Sequence, residues 1–571
     1  MNPLSFALTS RFRSEPTPEV KRTKRRAAVA LVLILLLALG LRLYRLVPQG
    51  VGLLYAQDAD EGVYASTAQL ILQGYVPYRD FFTPMPPIAI YLFAIVLRVF
   101  YHPWGSATGL MALRYMSVAC GIVTVGLTYC AAKVIGGKRA GLLAAAVLAV
   151  DGIVVAQDRR AMLEAPTNMY SVLAVLCYLY ALHQAWAERL DGTIWRKQAL
   201  LLAASGFFCT HALLTKGTAL APVLVIALGI LLRRRWKEGL CFGGSLLASY
   251  LLFSSVFLIL CPDEYVKQNY VFHLLRPWDG TAHPLARLTE ILGYTWSWTT
   301  VRLSILGVAT TLLAGSQVRH RGLWLVVLAW AGLMLVLLLT SRTYWATYFS
   351  QLAVPLSILA GLLFNDQLDR SRPSMVDRFS AMGRWVWFSL QLVVLVAVLA
   401  FSPSRLWLQY TTTKAALEQV KPAYLEISEY IGQYVPPDAP LLAFETNYTF
   451  LSSRRPAGAR EGSFFIDSYG EMLYRSLGIP DMSTRDVFAA WLGQERVGSL
   501  AVFYRQPAQT EVRRVFDQAP YVVFDGRALK QLTPETTEYI RVRSESLESA
   551  HGADLRVRTS DAGAEEQPVV P

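Results

Sequence analysis

The sequence predicts a polytopic α-helical membrane protein of about 11 spans plus juxtamembrane helices, with a small extracytoplasmic α/β domain at its C-terminal end. Three observations predict it. Of 571 residues, 54% are hydrophobic and 17% charged, against about 25% charged in an average soluble protein. Apolar runs recur from Ala27 to Phe401, many near the roughly 20 residues that a crossing helix needs. The basic residues gather in alternate loops, so the net charge of +13 reads as membrane topology and no nucleic-acid partner is expected.

The elements follow in order. Residues 1–26 read as a disordered basic cytoplasmic tail closed by Lys21, Arg22, Lys24, Arg25 and Arg26. The run that follows has no clean small-x-small cleavage site and reads as a retained first span. Apolar segments lie near 27–47, 87–100, 110–135, 140–157, 167–186, 199–214, 217–232, 239–260, 292–314, 323–340, 345–364 and 385–402. The second contains Arg98 and is too short to cross, so it reads as a juxtamembrane helix. Parity supports that choice. With 87–100 on the surface, Lys138 and Arg139, Arg189, Arg196 and Lys197, Arg233 to Arg235 and Lys237, Arg319 and Arg321, and Arg370, Arg372, Arg378 and Arg384 all join the basic N-terminal tail on one side. The positive-inside rule names that side the cytoplasm. The expected location is therefore the cell membrane, with a cytoplasmic N-terminus and the C-terminal domain outside.

Residues 27–402 form the expected transmembrane domain and 403–543 the α/β domain. In the latter, "AALEQVKPAYLEISEYIGQYV" has helical periodicity, and "APLLAFET" and "APYVVFDG" read as short buried strands. Residues 544–571 are polar and poor in aromatics and read as a disordered tail. Six cysteines, Cys120, Cys130, Cys177, Cys209, Cys241 and Cys261, lie in or at the end of apolar segments. They show no disulfide or zinc spacing, and the seven histidines show no ligand pattern.

On this topology the external loops collect the unusual residues. "QDADEGVYAS" holds Asp58, Asp60, Glu61 and Tyr64. Asp58-x-x-Glu61 fits a capping box for a helix running to Gln73 and stopped by Gly74. That reading leaves Asp60 unexplained, four residues before Tyr64 on the same helix face. "AQDRRAMLEAP" carries Arg159, Arg160 and Glu164. The arginines also fit lipid headgroups, and Glu164 also fits a cap, with Pro166 just inside its helix. Lys216 sits in the turn between two apolar helices, where an ammonium must reach water or an anion. The last two loops bring Arg276, then Arg342 and Tyr348.

The ordered set resembles the polyprenyl-phosphate-sugar-dependent glycosyltransferases of the GT-C fold, among them protein O-mannosyltransferases and aminoarabinose transferases. "DADEGVYASTAQLILQGYVPYRDFFTPMPP" is similar to their first external loop at Asp60-Glu61, Tyr64-Ala65, Gly74 and Pro86-Pro87. "RRAMLEAP" is similar to the second acidic loop at Glu164, "LLTKG" to the element carrying Lys216, and "TYFSQLAVP" to a late Tyr-to-Pro element at Tyr348 and Pro355. The resemblance spans about residues 27–365 and departs where many members place Lys before Pro-Pro, since this chain has Met85. Lys216, Arg159, Arg160, Arg276 or Arg342 would then supply that cation.

The resemblance implies transfer of a monosaccharide from a polyprenyl-phosphate donor to a lipid, glycan or protein acceptor, by an inverting displacement. Asp60 is the expected base, and Glu61 would orient it or help bind the acceptor. Tyr64, Arg159, Arg160, Glu164, Lys216, Arg276, Arg342 and Tyr348 are the expected substrate-binding residues, the cations facing the leaving phosphate. The sequence leaves a second role for Asp60 open, since Asp60 and Glu164 are also candidate ligands for a divalent cation such as Mg or Mn bridging carboxylate and phosphate. The competing reading is a transporter or flippase of a lipid-linked sugar. Transporters place broken helices near the midplane, often in repeated halves.

Overall fold

The computed structural model describes residues 18–44, 46, 58–187, 192–280, 283–293, 298–313, 321–365, 423–458, 465–493 and 502–559. In the membrane part, α1 (Pro18–Leu43) carries the basic run directly into the first apolar span. Helix α2 (Ala59–Leu72) lies between it and α3 (Pro87–Gly136). Asp58 is the N-cap of α2 and its side chain accepts from the Asp60 N–H at 3.2 Å. At the other end Gly74 takes φ +92°, a conformation that suits a residue without Cβ. Helix α3 breaks at Gly105, with φ 84° and ψ 176°, so a short apolar piece precedes the long span Trp104–Gly136.

Helices α4 (Lys138–Val150) and α5 (Gly152–Asp158) meet at a 65° bend. Asp151 makes the bend by capping α5 through the Ile153 and Val154 N–H groups, while Thr300 Oγ1 donates to its other oxygen at 2.6 Å. Then come α6 (Glu164–Ala187), α7 (Gly192–Leu213), α8 (Leu220–Leu232) and α9 (Trp236–Leu260). Short helices α10 (Pro262–Val266) and α11 (Phe272–Leu275) lead to α12 (Pro284–Gly293), α13 (Trp298–Leu313), α14 (Arg321–Thr340) and α15 (Phe349–Gly361).

The chain is a multi-pass membrane protein. Among the described residues six helices are long and apolar enough to cross, or seven if α4 and α5 are one bent span. The expected eleven is not reached, for a physical reason. Segments at Gly217–Leu232 and Thr299–Leu312 are apolar but short, and α7 interrupts its apolar face with Arg196, Lys197, Thr210 and His211. The expected span 385–402 lies outside the described residues.

The C-terminal part is built on a five-stranded sheet ordered β4-β3-β5-β7-β6, where β3 is Pro440–Ala443, β4 Arg455–Pro456, β5 Tyr521–Phe524, β6 Ser544–Ala550 and β7 Ala553–Arg558. Strand β3 runs parallel to β4 and β5, and β7 runs antiparallel to β5 and β6. Its helices are α16 (Ala423–Tyr434), α17 (Thr446–Leu451), α18 (Ser468–Ser476), α19 (Thr484–Gly493), α20 (Gln506–Gln518), α21 (Gly526–Gln531) and α22 (Pro534–Val542). The expected disordered tail must be corrected, because residues 544–558 are two strands of this sheet. Only one face of the pair is covered, by Ala553 and Leu555, so its composition is as polar as a tail's. His551 and Gly552, at φ 52° and 78°, form the two-residue turn.

Helix α17 packs on α2. Phe450 and Ile466 enter the same apolar cluster as Val63, Tyr64, Phe81 and Phe93. Gly62 permits the approach, since a Cβ there would lie 2.5 Å from the Asn447 backbone nitrogen.

Candidate active site

Helix α2 presents two neighbouring acids in opposite ways. Glu61 is 1% exposed and holds the Arg114 guanidinium with both oxygens, at 2.8 and 2.7 Å. It also accepts the Ala161 N–H at 2.7 Å. A bidentate pair with a third donor satisfies a buried carboxylate, so Glu61 ties α2 to α3 and to the loop before α6. It does not reach back to close the capping box expected from the spacing.

Asp60 is exposed, and among the described residues its carboxylate makes no hydrogen bond or ion pair. Protein atoms packed nearby nevertheless displace part of its water. That displacement first, and then the charges of Asp58 and Asp467, push its pKa up to about 7, against the pull of Arg527 and Lys216. Both neighbouring cations are therefore close enough to act on it.

Lys216 follows α7 in a turn pinned to the start of α3 by the Ile88 N–H donating to the Leu214 carbonyl at 2.9 Å. Its ammonium lies 2.5 Å from Glu164 Oε1 and 4.2 Å above the Tyr348 ring. Burial opposes its charge, but Glu164, Tyr348 and Asp60 outweigh that and the pKa ends raised. Lys216 is thus a charged ammonium with partial exposure, as anion binding requires. Tyr64 is buried edge-to-face on Phe93, with Asp60 and Glu164 in its electrostatic surroundings.

Arg276 lies near Tyr348 and Asp467 and 3.6 Å from Asp279 Oδ2. Tyr469 donates to that same oxygen at 2.7 Å. Arg342 donates to the Arg276 carbonyl at 3.4 Å. Strand β1 (Asp279–Gly280) pairs with β2 (Thr343–Tyr344), which brings the two loops together. Gly280 is required there, since it has φ +71° and a Cβ would lie 1.9 Å from the Tyr344 carbonyl oxygen. Arg287 braces the pair by stacking over Trp278 and Tyr344.

The structure thus brings Asp60, Tyr64, Glu164, Lys216, Arg276 and Tyr348 together, with Arg342 behind Arg276. It separates the two arginines of "AQDRRAMLEAP". Arg159 is fully buried and donates to the Tyr44 carbonyl, whereas Arg160 pairs with Asp58 at 3.1 Å. Of the five candidate replacements for a cation at Met85, Lys216 and Arg276 share Tyr348 as a neighbour. For a divalent cation the donor set fits poorly. Lys216 already neutralises Glu164, and among the described residues no three His, Cys, Asp or Glu side chains gather as metal ligands.

Sequence reasoning missed the residues that the C-terminal part contributes. Asp467 caps α18 through the Gly470 N–H at 2.9 Å while its charge faces Asp60. Asn447 donates to the Asp58 carbonyl at 3.2 Å and to Glu445 Oε1 at 2.7 Å, and Glu445 pairs with Arg527 at 3.3 Å. A signal existed for part of this set. Glu445 lies two residues past the end of strand β3 and Asp525 directly follows the parallel strand β5, and ligand-facing groups of α/β sheets collect at such strand ends. Arg454, by contrast, donates to the carbonyls of Val435, Ser452 and Gly432.

Residues 75–273 match the family model described as dolichyl-phosphate-mannose-protein mannosyltransferase. Among solved structures, the fold matches ArnT from Cupriavidus metallidurans bound to undecaprenyl phosphate, with TM-score 0.58 and 15% identity over 96% of this chain and 100% of that one. It also matches the apo form of the Archaeoglobus fulgidus oligosaccharyltransferase, with TM-score 0.55 and 13% identity over 88% of this chain and 70% of that one. The archaeal oligosaccharyltransferase AglB from Archaeoglobus fulgidus, in complex with an inhibitory peptide and a dolichol-phosphate, gives TM-score 0.54 and 12% identity over 88% and 70%. No curated protein sequence matches the chain. The resemblance to GT-C glycosyltransferases is borne out by the family match and by the fold.

Proposed function

We propose that this chain is an integral membrane glycosyltransferase that takes a monosaccharide from a polyprenyl-phosphate donor and joins it to a hydroxyl-bearing acceptor. The observation that carries the reading is the open Asp60 carboxylate beside the Lys216–Tyr348–Arg276 group. Residue roles follow from their surroundings. Asp60 takes the acceptor's proton as the acceptor oxygen bonds to the anomeric carbon. The anomeric carbon–oxygen bond to phosphate breaks, and Lys216 and Arg276 stabilise the charge that grows there. Phosphate is a competent leaving group, so no separate acid is needed. Attack opposite the phosphate inverts the anomeric centre.

Glu61 and Arg160 act as positioning residues, Glu61 through Arg114 and Arg160 through Asp58. Glu164 and Tyr348 hold Lys216, Tyr64 lies beside Asp60 and Glu164, and Arg342 holds the Arg276 carbonyl. A divalent cation between Asp60 and Glu164 is opposed by the ammonium already paired with Glu164, so the chemistry is assigned to protein groups alone. About 11 spans, a cytoplasmic N-terminus and an extracytoplasmic site with the C-terminal domain above it complete the reading. Hexose and pentose donors both fit this chemistry.

Transport of the same lipid is the competing reading, and one assay separates them. Purified protein in liposomes is given a polyprenyl-phosphate carrying a labelled sugar, together with candidate acceptors. Transfer predicts label covalently joined to acceptor and free polyprenyl phosphate. Movement of intact donor between leaflets without cleavage would overturn the proposal.

A further inference from the structure

Helix α19 leaves a row of large apolar side chains uncovered. Phe488, Trp491 and Leu492 are 61%, 43% and 66% exposed, on the side away from Val487 and Ala490, which pack into the core of the C-terminal part. The Phe488 and Trp491 rings lie 6.0 Å apart, so the row is a single patch. Soluble surfaces seldom leave contiguous aromatic patches bare without a partner.

The neighbouring segment says what the partner is. Val266, Tyr270 and Leu274 are also exposed, at a spacing of four that places them on one helical face. This segment is tied to the transmembrane helix α9 by its tyrosines. Tyr265 bonds Ser254 at 2.9 Å, and the Tyr270 hydroxyl meets that of Tyr250. The face therefore lies alongside the C-terminal half of α9, which itself leaves Leu252, Val256 and Ile259 exposed. Helix α19 packs against α11 of this same segment, and Lys267 donates to the Pro480 carbonyl at 2.7 Å just before α19. The exposed apolar side chains of the span, of this segment and of α19 thus sit on elements that pack on one another. Trp, Tyr and Phe are the residues that favour the headgroup level, and the exposed Arg485 is placed to meet lipid phosphate.

We propose that α19 lies on the bilayer, with Phe488, Trp491 and Leu492 seated among lipid headgroups and upper acyl chains. The lipid contact of α19 then adds to the protein contacts that hold the C-terminal part, such as Asn447 on α2 and Lys267 on the Pro480 carbonyl, whatever reaction the site performs.

The test uses full-length protein in lipid nanodiscs. Spin labels are placed by Phe488→Cys and Leu492→Cys, with Glu545→Cys on exposed β6 as the water-facing control, in a background lacking the native cysteines. Several-fold higher oxygen-to-nickel accessibility at 488 and 492 than at 545 is expected. Equal ratios, or labels shielded from both reagents as a second protein copy would leave them, overturn the proposal. Protein with its native cysteines gives a second readout should that background misfold. Brominated lipids should quench a fluorescence component that Trp491→Phe removes, and identical quenching of both proteins also overturns it.

Discussion

Asp60 and Glu61 are adjacent acids on one helical turn, and their fates differ completely. Glu61 is buried, with every oxygen engaged by Arg114 and the Ala161 amide. Asp60 is open, unpaired among the described residues, and set beside other acids. The same contrast recurs across the membrane part. Arg42 and Asp158 are closed on each other at 2.8 Å in the interior, where Gly121 makes room for them because a Cβ would lie 2.2 Å from Asp158 Oδ2. Lys216 and Glu164 are paired but keep the ammonium partly exposed. A charge whose partners are complete holds the fold, and a charge left incomplete is available to a ligand.

The predictions sharpen this contrast. Asp60→Asn keeps size and removes the base, so transfer should fall by about 10²–10⁴-fold with melting unchanged. Lys216→Met should lower kcat by about 10²–10³-fold. Because it strands Glu164, the double variant with Glu164→Gln should recover stability without recovering turnover. Glu61→Gln should do the reverse of Asp60→Asn. Removing one partner of a buried pair costs about 3–5 kcal/mol, so the melting temperature should drop while folded protein still turns over.

A smaller effect is expected in pH dependence. Asp60 must be ionised to accept a proton, so kcat/KM should rise with pH through its pKa of about 7. Asp467→Asn removes a neighbouring negative charge, which favours ionisation of Asp60. The ascending limb should therefore move to lower pH, and a limb that stays or moves upward would deny that Asp467 acts on Asp60. The smallest effect is none. Prolonged treatment with a chelator should leave turnover unchanged, since Lys216 holds the place beside Glu164.

Much of the site's first half is legible in the sequence. Asp58 and Gly74 mark both ends of α2, and the isolation of Lys216 between apolar helices signals an anion, supplied in the fold by Glu164. The capping box that the spacing suggests for Glu61 is not formed, and its actual partner Arg114 lies inside an apolar stretch that gives no hint of a buried pair. Among the described residues fewer than eleven helices qualify as spans because α8 and α13 are apolar enough but short, which composition alone does not weigh. The strands at 544–558 are missed because an edge hairpin covered on one face looks like polar tail. Asp467 and Arg527 reach Asp60 only through the packing of α17 on α2, a contact that rests on Gly62 and leaves no periodic trace.

The most direct test compares Asp60→Asn and Glu61→Gln side by side, measuring label transfer from a polyprenyl-phosphate sugar and thermal melting on the same preparations. Loss of transfer with wild-type melting for Asp60→Asn, and lowered melting with transfer retained for Glu61→Gln, is the expected result. Transfer retained by Asp60→Asn, or lost in a Glu61→Gln protein that melts like wild type, would contradict the assignment of the two acids.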